Sequence, residues 1–187
     1  MKKYLLPSLK MTLVMIVLLA VIYPVAIAMM AKMSAGKGKG ETVSVHGNVV
    51  GYANVGQKFT ADKYFQGRPS AVDYNAAGSG GSNKGPTNPD YLKTVQERID
   101  TFLVHNPGIT KDQIPVELVT ASGSGLDPDL SPAAAKVQAK RIAAIRKLDE
   151  SSLLALIDAQ TKKPLLGMLG PSTVNVLKLN IALDNLK

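Results

Sequence analysis

Two pairs of polar residues in this sequence have the types and the spacing that chemistry needs. In the first pair, Asp127 and Asp129 flank Pro128, so their carboxyl groups are close enough to act as a paired acid and base. Alternatively, they end a loop and interact favourably with the positive N-terminus of a helix that begins at Pro132. We expect the second, structural arrangement.

The other pair, Gln138 and Arg141, lies on the apolar face of a predicted helix. The apolar residues of that face are Ala134, Val137, Ile142, Ile145 and Leu148. Polar side chains on a buried face must find hydrogen-bond partners, and an arginine there keeps its charge. We therefore predict that Arg141 holds the loop at residues 121–130 through Asp127, Asp129 or backbone carbonyls. We favour this structural role over ligand binding.

Two glycine-rich segments lack the patterns of nucleotide-binding or catalytic loops. GSGGSNKG at residues 78–85 has no Gly-Lys-Ser/Thr ending, and ASGSG at residues 121–125 has no Gly-x-Ser-x-Gly elbow. The only histidines, His46 and His105, have no second metal ligand beside them in the sequence. We interpret the glycines as structural turns. The alternative is a membrane-anchored hydrolase or binding domain, whose candidate residues would be Ser122, Ser124, Asp127 and Asp129.

The excess positive charge is confined to one end of the chain. The 187 residues include 22 Lys and Arg against 14 Asp and Glu, a formal charge of +8. Residues 1–40 contain six Lys and no acid, which leaves 16 basic and 14 acidic residues, or +2, beyond position 40. Nucleic-acid binding needs basic residues clustered on the folded surface, so this distribution argues against it. The absence of Cys excludes disulfides and thiolate metal sites.

An uncharged run of 21 residues, Met11 to Ala31, follows the basic start. As a helix it is about 30 Å long and matches the hydrocarbon layer of a membrane, whereas the core of a cleaved secretory signal, the alternative, is shorter. Pro24 removes a helix hydrogen bond, which makes either a harmless kink or a packing site for a partner's helices. Lysines on both sides leave the orientation open.

The predicted organisation is a basic tail at 1–10, a transmembrane helix at 11–31, a flexible linker at 32–41 and one small domain at 42–187. Helices and strands in irregular alternation predict an α+β fold for that domain. The expected elements are a strand and turn at 42–50, a long loop at 67–89, helices at 89–104 and 132–147, a strand at 115–120, a helix capped by Asp149 that ends before Pro164, and a strand followed by a short helix within 174–186.

Motifs along the whole chain carry a resemblance to a known family. They are Tyr23-Pro24, GQKF at 56–59, YFQGRPSA at 64–71, SGGSN at 79–83, Asn88-Pro89, PVELVTASGSGLDPDLSPAAA at 115–135, Gln138 with Arg141, and VNVLKLNIAL at 174–183. With these motifs in this order, the chain resembles the C subunit, KdpC, of the Kdp-type potassium-transporting P-type ATPase of bacteria and archaea.

The resemblance implies an accessory, non-catalytic subunit of an ATP-driven, high-affinity potassium uptake complex. Its partners would be a channel-like potassium-binding subunit, an ATP-hydrolysing P-type subunit and a small stabilising peptide. The complex uses ATP, Mg²⁺ and K⁺, and we expect no cofactor on this chain. The structural or docking candidates are Tyr23, Pro24, Arg68, Asn83, Asp127, Asp129, Gln138 and Arg141.

The family's topology implies a single-pass protein of the cytoplasmic (inner) membrane, with the N-terminus in the cytoplasm and the domain outside. The family is also described as a catalytic chaperone that raises the ATP affinity of the catalytic subunit. A domain outside the membrane does not meet cytoplasmic ATP, so we expect this effect to be transmitted through the complex.

Overall fold

The computed structural model describes residues 2–186, without the Lys2 side chain. The first residue of the predicted 1–10 tail and the last residue of the predicted 42–187 domain lie outside the described residues. The chain divides into two compact units, residues 1–42 and 43–187, each of which is described by itself.

The first unit is a long apolar helix. It consists of α1 (Lys2–Ile16), a π-helical segment (Val17–Ile22) and α2 (Tyr23–Ala31). The stretch from Lys3 to Ala31 is long and apolar enough to cross a membrane, and nothing in the described chain buries it. The helix starts before the predicted residue 11, so the basic segment belongs to it. Pro7 lies inside the helix, where it removes one backbone hydrogen bond.

The π-helical segment lies immediately before the proline of the span. The Tyr23 N–H donates to the Leu18 carbonyl, five residues back, instead of the usual four. Pro24 has no N–H, and its ring crowds the carbonyl of Ala20. The interruption predicted at Pro24 is therefore accommodated as a wider helical turn. Residues 32–41, the predicted linker, form consecutive turns.

The second unit combines two small sheets with four helices. The hairpin β1 (Thr42–Val45) and β2 (Asn48–Tyr52) confirms the predicted strand and turn. An antiparallel sheet has the order β3 (Asp129–Leu130), β5 (Thr173–Asn175), β4 (Thr161–Lys162), with Val174 opposite both Leu130 and Thr161. Residues 53–88 contain no helix or strand, so the loop predicted at 67–89 is confirmed and is longer than expected.

The four helices begin at side chains that cap them. They are α3 (Pro89–His105), α4 (Pro132–Arg146), α5 (Glu150–Gln160) and α6 (Val176–Asp184). Their caps Asn88, Ser131, Asp149 and Asn175 each accept a hydrogen bond from a backbone N–H three residues later. The predicted helices, and the strand followed by a helix at 174–186, are confirmed.

The core lies among α4, α5, α6 and the three-stranded sheet. Its fully buried apolar side chains include Phe65, Leu130, Ile142, Leu153, Ile157, Val174, Leu179 and Leu183. Phe65 comes from the long loop, so burial of its ring ties an irregular segment to the helices. Each such side chain contributes about 1.5–3 kcal/mol on burial.

Two predictions about local structure are wrong. Residues 115–120 form no strand, because the carbonyl of Pro115 accepts from the Leu118 N–H and closes a 3₁₀ turn at Val116–Leu118. On α4, Ile145 is 49% exposed, so the buried face ends earlier than the predicted apolar arc. The overall α+β class with one apolar N-terminal helix is confirmed.

Candidate functional site

Arg141 on α4 lies at the centre of a buried polar cluster. Its side chain is only 3% exposed. Nε donates to the Asn106 side chain at 3.0 Å, and Nη2 donates to the Tyr64 carbonyl at 3.3 Å and to Gln138 Oε1 at 3.0 Å. Nη1 donates to the Asp62 carbonyl and lies 3.5 Å from the Asp62 carboxylate. Burial lowers the pKa of the Arg141 guanidinium, and Asp62 opposes that effect.

The prediction that Arg141 is buried and needs partners is confirmed, but the predicted partner is wrong. Arg141 holds residues 62–64 and the end of α3, not the loop at 121–130. The helical period correctly identified the face of α4 on which Arg141 lies. The segment that covers this face is 77 to 79 residues earlier in the chain, and no local pattern specifies it.

Gln138 continues the same cluster one turn earlier on α4. Its Oε1 accepts from the Gln66 N–H at 2.9 Å, and its Nε2 donates to the Gln66 carbonyl at 3.1 Å and to the Ala134 carbonyl at 3.0 Å. The side-chain amide thus pairs with one residue of the long loop as a neighbouring strand would. Gln138 and Arg141 together fasten residues 62–66 to α4.

Asn180 on α6 fastens the same loop segment, at Phe65. Its Oδ1 accepts from the Phe65 N–H and its Nδ2 donates to the Phe65 carbonyl, both at 2.9 Å. The residues predicted for the site do not include Asn180. The signal was present, because Asn180 is the polar residue on the apolar face of VNVLKLNIAL, as Gln138 is on α4.

The two acids of the 121–130 loop have separate structural partners. Arg68 Nη1 lies 3.0 Å from Asp127 Oδ2, and both side chains are partly buried. The Asn175 side chain donates to Asp129 Oδ1 at 3.1 Å. The side chain that caps α4 is that of Ser131. The two carboxylates contact different side chains, and the Asp129 N–H also donates to Asp127 Oδ1 at 3.1 Å.

Tyr74 completes the contacts around Arg68. Its hydroxyl donates to the Arg68 carbonyl, and the Ser70 hydroxyl accepts from the Tyr74 N–H at 2.9 Å. Burial, and then the nearby Asp127 carboxylate, raise the pKa of Tyr74 to about 12. The tyrosine therefore stays neutral at physiological pH. Arg68 Nε is buried and has no hydrogen-bond partner among the described residues.

The two glycine-rich loops pack against each other. The Gly80 N–H donates to the Ser124 carbonyl at 2.9 Å, and the Ser122 N–H donates to the Pro69 carbonyl at 3.1 Å. Gly125 has a φ of +66°, and a Cβ there would lie 2.5 Å from Val72. These contacts support the interpretation of the glycines as structural turns.

A surface cavity of about 450 Å³ lies between α3 and residues 58–74. Its cationic side chains already have partners: Lys58 contacts Asp73, Arg98 donates to the Val119 carbonyl, and Arg68 contacts Asp127. Asp73 and Asp127 thus partly neutralise two of these cations, although Arg68 Nε keeps an unused donor in the described part of the chain. At one end His105 pairs with Asp62, and within residues 2–186 no three His, Asp or Glu side chains converge as metal ligands.

Three docking candidates remain, Tyr23, Pro24 and Asn83. Tyr23 and Pro24 are exposed on the apolar helix. Asn83 is exposed in the long loop with a φ of +52°, a conformation that Asn tolerates better than most residues. The structure thus joins Gln138 to Arg141 and Arg68 to Asp127.

The amino-acid sequence matches a known family over nearly the full length of the chain. The model of the family described as KdpC, the K⁺-transporting ATPase c chain, matches residues 5–185. The chain belongs to the KdpC family. The resemblance drawn from the sequence motifs is confirmed, and with it the place of the chain as a membrane subunit of the potassium-transporting ATPase.

Relatives named as the KdpC subunit of the potassium-transporting ATPase occur in several bacteria. One from Flavobacterium psychrophilum is 60% identical over 179 residues, which are 96% of both chains. Another from Flavobacterium johnsoniae is 57% identical over 185 residues, 99% of this chain and 100% of the relative. A third, from Caldanaerobacter subterraneus, is 44% identical over 177 residues, 94% of this chain and 92% of the relative.

Proposed function

We propose that this KdpC family member is an accessory, non-catalytic subunit that assembles and stabilises the potassium-transporting ATPase. One observation carries the proposal: the polar residues that could do chemistry are used inside the domain. Arg141, Gln138 and Arg68 each fasten an irregular segment to a helix or a neighbouring loop. Side chains engaged in this way position the fold and are not free to act on a substrate.

In this proposal the apolar helix packs against helices of partner subunits in the membrane. Its side chains from Lys3 to Met30 are exposed in the isolated chain. The widened turn before Pro24 supplies the place at which a partner's helix or polar group can satisfy the altered backbone. The partners would be the channel-like potassium-binding subunit, the ATP-hydrolysing subunit and the small stabilising peptide implied by the family resemblance.

We place the N-terminus in the cytoplasm and the domain outside, as the family resemblance implies. The effect on ATP affinity is then indirect, and ATP, Mg²⁺ and K⁺ act on the partner subunits. The lack of a phosphate-binding motif in the glycine-rich segments supports this choice. The domain would stabilise or gate the outer entrance for potassium.

The test is purification of the tagged full chain in mild detergent, followed by identification of the co-purifying proteins. We expect a large multi-span protein and the P-type subunit, and loss of growth at micromolar potassium when the chain is deleted. A chain that emerges alone, with normal growth after deletion, contradicts the proposal. A reporter fused after Lys187 tests the topology, and a cytoplasmic signal would favour direct ATP binding instead.

A further inference from the structure

The connection between β4 and β5 projects an apolar tip from the domain. The tip comprises residues 163–172, KPLLGMLGPS. Four of its large apolar side chains are exposed: Leu165, Leu166, Met168 and Leu169. Leu166 and Met168 are each 80% exposed. Scattered exposed apolar residues are ordinary, but four within five positions form a patch that calls for a partner.

The tip is held in a fixed conformation. The N–H groups of Leu165 and Leu169 each donate to the other's carbonyl, at 3.0 and 2.9 Å, and the Gly167 N–H donates to the Pro164 carbonyl at 3.0 Å. Its base is rooted in the core, because Val174 on β5 is fully buried. The exposed side chains are therefore presented on a rigid support, which reduces the ordering that binding requires.

The turn also contains backbone strain. Leu166 has a φ of +55°, in the left-handed region that a branched, non-glycine residue rarely adopts. Glycine would adopt this conformation without strain. A leucine that is both strained and exposed contributes little to the folded domain, so its role is outside the domain.

The charge around the tip is of one sign. Lys162 precedes the tip and Lys163 is its first residue, neither forms an ion pair among the described residues, and residues 159–183 contain no Asp or Glu. A recess that accepts the tip would therefore be apolar inside and carry carboxylates at its rim. A fluid lipid surface needs no preorganised shape, whereas a protein recess does, so the rigid turn favours a protein.

We propose that residues 163–172 form the docking element through which the domain binds another protein subunit of the complex, in an apolar recess with an acidic rim. This inference rests on the proposed function. Four side chains cannot bury the roughly 800 Å² per partner of a typical stable interface. Anchoring of the chain in the same membrane as its partner raises the effective concentration, so a small contact suffices.

Photo-crosslinking in the assembled complex tests which molecule contacts the tip. A photoreactive amino acid replaces Met168, and a matched control replaces Val116, which is 71% exposed on a different part of the domain. We expect position 168 to crosslink to another protein subunit of the complex and position 116 not to. Crosslinks to lipid, to a second copy of this chain or to nothing, in a complex that still co-purifies, overturn the inference while leaving the proposed function intact.

The variant Leu166→Gly separates folding from binding. It removes strain at a positive φ and an apolar side chain from the tip, so the domain should melt at the same or a higher temperature. Retention in the complex should nevertheless fall by about fivefold or more, the effect of losing an interface anchor. Unchanged retention overturns the inference. Wild-type chain that fails to co-purify refutes the proposed function instead.

Discussion

Replacing Arg141 by methionine should destabilise the domain strongly. The guanidinium donates to acceptors on Asp62, Tyr64, Asn106 and Gln138, from three separate parts of the chain. A hydrogen bond to a charged group contributes about 1.5–3 kcal/mol, and such contributions do not add within one cluster. Breaking a buried charged cluster costs about 3–5 kcal/mol. Because Asp62 is partly exposed, we expect about 3 kcal/mol for Arg141→Met.

The expected change in melting temperature is about 10 °C, since 1 kcal/mol corresponds to roughly 3 °C in a domain of this size. Thermal unfolding of the full chain in mild detergent, followed by the near-ultraviolet circular dichroism of its tyrosines, measures it. Lys140→Met, at an exposed position on the same helix, is the matched control and should shift the midpoint by about 1 °C. Arg141→Lys should lie between them, because one ammonium cannot reach all the acceptors.

A shift below about 2 °C for Arg141→Met would refute this reasoning. It would mean that the desolvation of the guanidinium offsets its hydrogen bonds, so that the cluster adds no net stability. The role of Arg141 would then be to select one position for residues 62–64. Faster hydrogen exchange in that segment of the variant, without a change in melting temperature, would identify this second case.

Two further predictions concern the other contacts of the long loop. Asn180→Leu leaves the buried N–H and carbonyl of Phe65 without partners and should cost about 2–3 kcal/mol, measured as a lower urea midpoint, whereas Asn185→Leu at an exposed position should change it little. For Tyr74 the folded pKa of about 12 lies above the unfolded value of 10, so its contribution is complete below pH 10 and is lost as pH rises toward 12. The free energy of unfolding of the wild type, measured by urea titration, should therefore fall by about 1 kcal/mol more than that of Tyr74→Phe as pH rises from 10 to 12, a value reduced because the ring is partly exposed. An equal fall in the two proteins would contradict this assignment.

The sequence predicted the parts of the fold that depend on local chemistry. Asn88, Ser131 and Asp149 are short polar side chains placed just before helix-forming residues, and their capping is decided within one turn. The prediction of a strand at 115–120 is wrong, also for a local reason. Pro115 favours a turn, and the burial that follows does not alternate, because Val116 is exposed while Leu118 and the adjacent Val119 are both buried.

The sequence predicted which face of α4 carries the candidate site, but not which residues contact that face. Helical spacing placed Gln138 and Arg141 on the buried side of α4, and burial demanded acceptors. Three of those acceptors are the backbone carbonyls of residues 62, 64 and 66, in a segment without helix or strand. Backbone carbonyls are present in every residue, so residue types give no indication of which segment will supply them.

The polar residues make their contacts within the domain, so the surface that binds a partner subunit should be sought elsewhere. Arg68, Asp127, Gln138 and Arg141 were candidates for docking, yet each is engaged with another residue of the same domain. Substituting them would alter assembly indirectly, by loosening residues 62–68. Two apolar surfaces are left exposed: the N-terminal helix and the tip at 163–172. A variant that weakens assembly without changing the melting temperature of the domain should therefore map to those two surfaces.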